Sequence, residues 1–314
     1  MQDNNKNYNL LLVDDERRIT SALRAIFRRD YTVLVANSGE QALKLLAKNS
    51  VDVVLCDQRM PEMLGNELLA KISVLYPRII RILLTGFIDR DAIVDSINHS
   101  EIYRFINKPW NNEKLRDTIA EAALASEVGI DNSENLTNDS NKKTVDDLTS
   151  EDDQALLMIE QKPIIRHQIR KYCRDKGIMI YGTQNIEQAI ATVISRKNIG
   201  VAIIELSVDP EVALTAIGLL KQNRPDLITI ALTDEFDAST AISLINQGQA
   251  YKYLTKPLDL EVLQTTVQFA FRRHHFLKSN KFAAKRYKVE QSKSSIENNL
   301  QPLFGRFLKI AALR

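Results

Sequence analysis

The chain has 314 residues, of which 44% are hydrophobic and 26% charged, and its formal net charge at pH 7 is +2. This composition is that of a globular protein and excludes global disorder, while the length favours two domains, because domains most often contain ~100–150 residues. The charge is unevenly distributed: residues 272–314 contain 11 Lys/Arg and 2 Asp/Glu, a net +9, so residues 1–271 carry −7.

Targeting and redox features of the sequence predict a cytoplasmic protein. The first residues, MQDNNKNYN, lack the basic start and apolar core of a signal peptide, and no uncharged apolar run approaches the ~20 residues that span a bilayer. Cys56 and Cys173 are the only cysteines, and neither has neighbouring ligands that would suggest a metal site. This pattern fits a reducing compartment.

Short apolar runs alternate with segments of helical periodicity over residues 9–125, which predicts five strands and five helices. The runs are continuously apolar, as in strands of a parallel sheet that helices cover on both faces. We therefore expect an α/β fold with a doubly wound parallel sheet, whose functional residues follow the carboxyl ends of the strands. The apolar runs are NLLLV, TVLVA, VDVVLC, IRILLT and IYRFIN.

An acidic segment separates this first domain, residues 1–125, from a second alternation of the same kind. Residues 126–153 contain nine acidic side chains, two lysines and few large apolar ones, which predicts a flexible linker. Residues 154–271 repeat the strand and helix order, and spacing supports a duplication. Asp57 to Thr85 and Glu205 to Thr233 are both 28 residues apart, although the first halves differ by a two-residue insertion.

Five polar residues of the first copy follow four predicted strands and should meet at one sheet edge. Three carboxylates there would repel one another, so a hard divalent cation, most plausibly Mg²⁺, is the expected neutralising partner. A lysine and a threonine at the same edge supply a positive charge and a hydroxyl donor for an anion. Together they predict a site that accepts a phosphoryl group. The residues are Asp14, Asp15, Asp57, Thr85 and Lys108.

The segments LLLVDDE, VVLCDQRMP, ILLTG and FINKPW resemble the signature segments of two-component response-regulator receivers, over about residues 8–125. The resemblance implies a flavodoxin-like (βα)5 fold. It implies that Asp57 accepts the phosphoryl group, that Asp15, Asp57 and the carbonyl of Arg59 bind the metal, and that Asp14 binds it through water.

The resemblance also assigns the output of the first copy. Thr85 and Lys108 would bind the phosphoryl oxygens, and Phe105 would rotate inward when Thr85 moves towards the phosphate. A histidine kinase would be the phosphoryl donor, and a downstream protein would receive the signal by binding. No enzyme activity on a separate substrate is expected.

The second copy differs at the equivalent positions. Glu160 and Gln161 stand for Asp14 and Asp15, and Glu205 stands for the acceptor aspartate, while the threonine and lysine positions are kept as Thr233 and Lys256. The longer side chain of Glu205 should reach Lys256 and replace metal and phosphate with an ion pair. The copy thus resembles a pseudo-receiver, although simple decay of the site is an alternative.

The basic segment 272–314 predicts a helical, partly amphipathic tail. Leu303, Phe304, Phe307 and Leu308 form an apolar stripe that would pack on one of the chain's own domains or bind a partner, a membrane surface or nucleic acid. There are two alternatives to a protein that signals by binding a downstream protein. One is a regulator that dimerises and binds nucleic acid through this tail, and the other is a truncated regulator whose catalytic output domain lies beyond residue 314.

Overall fold

The computed structural model describes residues 8–86, 94, 98, 100–127, 155–207, 209–248 and 250–279. The chain divides into two compact units, residues 1–134 and 135–314. Nearly all of the predicted acidic linker lies outside the described residues, as does the apolar stripe of the predicted tail.

The first unit is built on a five-stranded, all-parallel sheet with the strand order β2-β1-β3-β4-β5. Its strands are β1 Asn9–Val13, β2 Thr32–Ala36, β3 Val53–Asp57, β4 Ile80–Thr85 and β5 Arg104–Asn107. Its described helices are α1 Arg17–Phe27, α2 Gly39–Leu46, α3 Gly65–Leu75 and α4 Asn112–Glu127. The helix predicted before β5 falls mainly outside the described residues.

The second unit repeats this topology, with the strand order β7-β6-β8-β9-β10 in a second parallel sheet. Its strands are β6 Ala155–Ile159, β7 Met179–Thr183, β8 Ile199–Glu205, β9 Ile228–Thr233 and β10 Lys252–Thr255. Its helices are α5 Pro163–Asp175, α6 Ile186–Ser195, α7 Pro210–Asn223, α8 Ala238–Ser243 and α9 Leu260–Ser279, with a π-helical turn at Leu244–Gly248. The predicted α/β fold with two doubly wound parallel sheets is confirmed.

The central strands are buried along almost their entire length, which explains their continuous apolar sequence. Every residue of β3 and β4 is buried in the first unit, and every residue of β8 and β9 in the second. Burying one such aliphatic side chain contributes roughly 1.5–3 kcal/mol. The helices thus cover both faces of each sheet, and the loops at the strand ends remain for function.

Arg81 is the one charged residue within the apolar run of β4, and it is 1% exposed. Its guanidinium donates hydrogen bonds to the backbone carbonyls of Ser100, Ile79 and Glu101, at 2.9, 2.7 and 3.0 Å. These bonds satisfy the buried donors and tie β4 to the segment that leads into β5, which carries Phe105.

The same local sequence device begins α2 and α6. The side chain of Ser38 accepts a hydrogen bond from the backbone N–H of Gln41, and the side chain of Asn185 accepts one from that of Gln188. Each cap satisfies a donor that the helix itself cannot pair. The caps are a further correspondence between the two units.

None of the helices in the described part of the chain combines the length and hydrophobicity that crossing a membrane requires. The last helix among the described residues, α9, is described to Ser279, and its buried face includes Leu277, which belongs to the core of the second unit. The domain boundary at residue 271 stays a prediction, and the helix that contains it extends eight residues beyond.

Candidate functional site

The carboxyl ends of four strands bring the predicted residues of the first unit together. Asp14 and Asp15 follow β1, Asp57 ends β3, Thr85 ends β4 and Lys108 follows β5. Since β1, β3, β4 and β5 are neighbours in a parallel sheet, their ends share one edge.

Lys108 joins two of the carboxylates directly. Its ammonium nitrogen, Nζ, lies 2.7 Å from Oδ1 of Asp57 and 2.9 Å from Oδ2 of Asp14. The remaining oxygens are held by the backbone: Glu16 N–H donates to Asp14 Oδ1 at 2.9 Å, and Arg59 N–H donates to Asp57 Oδ2 at 3.0 Å. Both carboxylates are therefore fixed in orientation.

The site also has the donor set of a hard cation. One carboxylate oxygen from each of Asp14, Asp15 and Asp57 can be chosen so that all three lie within 4.8 Å of one another. Asp14 and Asp57 are buried and Asp15 is exposed, so the cluster is open on one side. Oxygen ligands of this kind, with an open side for water and phosphate oxygens, fit Mg²⁺.

The charged groups of the site shift one another's pKa values. Burial raises the pKa of Asp57 above its usual value, and the hydrogen bond and positive charge of Lys108 partly oppose that shift. Burial disfavours the charged ammonium of Lys108, but the hydrogen bonds that it donates to Asp57 and Asp14 outweigh this effect and raise the pKa of Lys108. The lysine is therefore a permanent cation beside the acceptor carboxylate.

Thr85 and Phe105 lie on the two adjacent strands β4 and β5. Thr85 is 5% exposed, and its backbone carbonyl accepts a hydrogen bond of 2.7 Å from the backbone N–H of Lys108. Phe105 is 4% exposed and pairs with Leu83 across the ladder. The predicted switch residue is thus in the buried position.

Sequence reasoning missed Gly65, the first residue of α3, which sits against the acceptor strand. A Cβ atom at this position would lie 2.1 Å from the carbonyl oxygen of Asp57, far inside van der Waals contact. The neighbouring pair Gln58 and Asn66 exchanges hydrogen bonds of 2.9 and 3.0 Å and closes the intervening loop. Only a glycine lets the helix begin so close to the acceptor; its position eight residues after Asp57 was the available signal.

In the second unit the predicted contact between Lys256 and Glu205 is present. The ammonium of Lys256 touches Oε2 of Glu205 and lies 2.8 Å from Oε2 of Glu160. The three side chains are 6%, 4% and 0% exposed. Burial lowers the pKa of Lys256, and the hydrogen bond that it donates to Glu160 opposes that shift.

Gln161 is exposed, as its counterpart Asp15 is, and the hydroxyl of Thr233 donates to the backbone carbonyl of Glu235 at 2.7 Å. One further difference separates this pocket from the first: α7 begins five residues after Glu205, whereas α3 begins eight residues after Asp57. The loop that would supply a backbone carbonyl to a metal is therefore shorter in the second unit.

Comparison with known proteins matches both units to one family model, and individual relatives match about one unit's length of the chain. A model of the response regulator receiver domain matches residues 10–120 and 156–268. The hydrogenase transcriptional regulatory protein HoxA of Cupriavidus necator is 39% identical over 120 residues, which cover 38% of this chain and 25% of that protein. The sporulation initiation phosphotransferase F of Bacillus subtilis is 32% identical over 114 residues, covering 36% of this chain and 91% of that protein.

A solved signal receiver domain of an HD domain-containing protein from Pseudomonas fluorescens is 37% identical, with a TM-score of 0.38, and covers 39% of this chain and 98% of that one. The matched region spans about a quarter of the length of the transcriptional regulators, as the 25% coverage of HoxA illustrates.

Proposed function

The chain belongs to the response regulator receiver family of two-component signalling, and from this membership we propose that Asp57 accepts a phosphoryl group from a histidine kinase. The signal then passes to a downstream protein through contacts that depend on phosphorylation. The observation that carries this proposal is the position of Lys108, whose ammonium lies within 2.9 Å of two buried carboxylates at the sheet edge.

The chemistry follows from the roles of the side chains. A carboxylate oxygen of Asp57 forms a bond to phosphorus while the bond from phosphorus to the donor imidazole breaks. Asp15, Asp57 and the carbonyl of Arg59 would hold Mg²⁺ directly and Asp14 through water. The bound cation would neutralise charge on the transferred oxygens.

Lys108 then exchanges partners. In the unphosphorylated site its ammonium pairs with Asp57, and after transfer it pairs with a phosphoryl oxygen while retaining Asp14. The Thr85 hydroxyl donates to a second phosphoryl oxygen, and its movement is transmitted along β4 and β5 to Phe105. The face around β5 is the proposed binding surface for the downstream protein, so output occurs by binding and not by catalysis on a separate substrate.

The second unit has the proposed role of a pseudo-receiver. Glu205 occupies the acceptor position and is paired with Lys256, as Asp57 is with Lys108, but Gln161 stands where the first unit has a metal-binding carboxylate. The support for the role is therefore the loss of the acceptor aspartate and of one carboxylate that would hold the cation. A cytoplasmic location belongs to the same proposal, because histidine kinases phosphorylate their receivers in that compartment.

Treatment of the chain with acetyl phosphate and Mg²⁺, followed by mass spectrometry, tests both assignments. We expect one phosphoryl group on Asp57 in the wild type, none in Asp57→Asn, and an unchanged signal in Asp30→Asn, which removes an exposed carboxylate from the same unit. Label in the first unit of Asp57→Asn would refute the acceptor assignment, and label in residues 155–279 would refute the pseudo-receiver role.

Output is tested by affinity capture of the downstream protein with wild type and Asp57→Ala, each with and without beryllofluoride as a phosphoryl mimic. The partner should respond to beryllofluoride only in the wild type. A partner that binds all four samples equally would show that Asp57 does not control output.

A further inference from the structure

One ion pair of the second unit has no counterpart in the first. Lys162, which follows β6, contacts the carboxylate of Asp234, which follows β9. At the equivalent positions the first unit has Glu16 and Gly86, so it can form no such pair. The pair therefore links the loop after β6 to the loop after β9. The residues at the equivalent positions of the first unit cannot form this link.

Asp234 also contacts the other loops of the pocket. Its carboxylate oxygen Oδ1 lies 3.7 Å from the ammonium of Lys256, which follows β10. Its backbone N–H donates a hydrogen bond of 2.8 Å to the hydroxyl of Ser207, which follows β8. One residue thus joins the ends of β6, β8, β9 and β10.

The comparison with Gly86 shows where a side chain at this position points. Among the described residues, a Cβ atom built on Gly86 would come within 4 Å of the Lys108 side chain alone, at 3.7 and 3.8 Å. A side chain at this position is therefore directed towards the lysine. In the second unit the carboxylate of Asp234 supplies an anion from the chain itself.

We propose that Lys162 and Asp234 form an internal bridge that holds the β9 loop against Lys256 and so fixes the second pocket in one conformation without phosphorylation. The proposal rests on the pseudo-receiver role and deepens it by naming what replaces the phosphoryl group. The buried carboxylates of Glu160 and Glu205 contact the ammonium of Lys256. The more exposed carboxylate of Asp234, which belongs to the bridge, lies 3.7 Å from the same ammonium.

Hydrogen–deuterium exchange on the full chain tests the bridge through the backbone amides of residues 233–237. The variants are Lys162→Gln, Asp234→Asn and the double variant. We expect each single variant to exchange roughly twofold to fivefold faster after correction for intrinsic rates, as the loss of a partly exposed ion pair implies. The double variant should exchange no faster than Asp234→Asn, because both changes remove the same pair.

Two controls make the test specific. Glu235→Gln removes one carboxylate from the adjacent, exposed residue and should leave exchange unchanged, and Lys162→Arg should preserve the bridge. Equal acceleration in Asp234→Asn and Glu235→Gln, or additive effects of Lys162→Gln and Asp234→Asn, would overturn the bridge. The pseudo-receiver role is tested by a separate measurement. Labelling of the second unit of the wild type by acetyl phosphate would refute that role, whatever the exchange rates are.

Discussion

At the scale of single residues, Gly65 sets how closely α3 can approach the acceptor strand. Its missing Cβ leaves room for the carbonyl oxygen of Asp57, and that carbonyl belongs to the residue that carries the chemistry. A steric change at position 65 therefore acts on both the packing of the first unit and the geometry of the acceptor.

We predict that Gly65→Ala destabilises the first unit by about 1–3 kcal/mol, because the added methyl group overlaps backbone that cannot move freely. Gly86→Ala is the matched control, since the nearest described atom to its Cβ would lie 3.7 Å away, on the Lys108 side chain. Urea unfolding followed by circular dichroism measures both. Equal stability of Gly65→Ala and wild type would mean that α3 can shift away from β3 at little cost.

His274 in α9 gives the second unit a predictable pH dependence. The imidazole is fully buried, its Nδ1 lies 2.9 Å from the Asp226 carbonyl oxygen, and Nε2 has no hydrogen-bond partner among the described residues. Burial lowers the pKa of His274, with opposing contributions from Asp226 and smaller supporting ones from His275 and Arg224.

Because the folded state binds this proton less readily than the unfolded state, the second unit should lose stability as the pH falls through the ordinary histidine pKa of about 6.5. We expect a loss on the order of 1 kcal/mol between pH 7 and pH 5, and a shallower loss in His274→Gln. Denaturant midpoints across this range provide the measurement, with the exposed His167→Gln as control. Parallel pH profiles for wild type and His274→Gln would contradict the assignment.

At the scale of elements, α9 continues beyond the boundary that the sequence predicts for the second domain. Leu277 is 4% exposed and Phe276 is 51% exposed, so two adjacent apolar residues lie in opposite environments. The sequence predicts helix beyond residue 271 as part of the basic tail. It does not show that one face of this stretch is buried in the second unit, because a helix with one buried face carries its charges on the other.

Leu277→Ala should therefore destabilise the second unit by about 2–4 kcal/mol, through lost burial and a cavity. Phe276→Ala, although a larger deletion, should cost less than about 1 kcal/mol, because half of the ring is already in water. Thermal unfolding of the two variants gives the comparison. The reverse order of stabilities would place the end of the domain near residue 271.

The strands and the site residues were predictable because they depend on short-range patterns. Continuous apolar runs marked β3 and β4, and the polar residues that follow the runs placed the site at strand ends. The Lys162–Asp234 pair was not predictable, because it depends on the geometry of two loops and has no counterpart in the first unit. The start of α7 had an available local signal, since Asp209 caps the helix by accepting from Val212 N–H and Pro210 is its first residue.

At the scale of the whole molecule, two units of one topology differ in how their pockets are neutralised. The first clusters three carboxylates beside one lysine, while the second has a glutamine in place of one of these carboxylates and has Asp234 as a further carboxylate near its lysine. The stability of the two units should therefore respond differently to divalent cations.

We predict that Mg²⁺ raises the unfolding temperature of the first unit only, by several degrees when its concentration is ~100 times the dissociation constant, a gain of about 2.7 kcal/mol. Asp15→Asn should abolish this shift, because it removes an exposed ligand without disturbing the core. Differential scanning calorimetry resolves the two transitions, and Leu277→Ala identifies that of the second unit. A shift of both transitions would show that the second pocket binds the cation as well.

The two pockets also determine how many phosphorylation states the chain can adopt. Two equivalent acceptors would give four phosphorylation states, and a partner could read graded combinations of them. With Glu205 in the acceptor position and Gln161 in place of a metal-binding carboxylate, the proposed roles leave two states, controlled by Asp57 alone. The chain would then be a two-state switch. Its phosphorylation should rise in a single step as kinase activity increases.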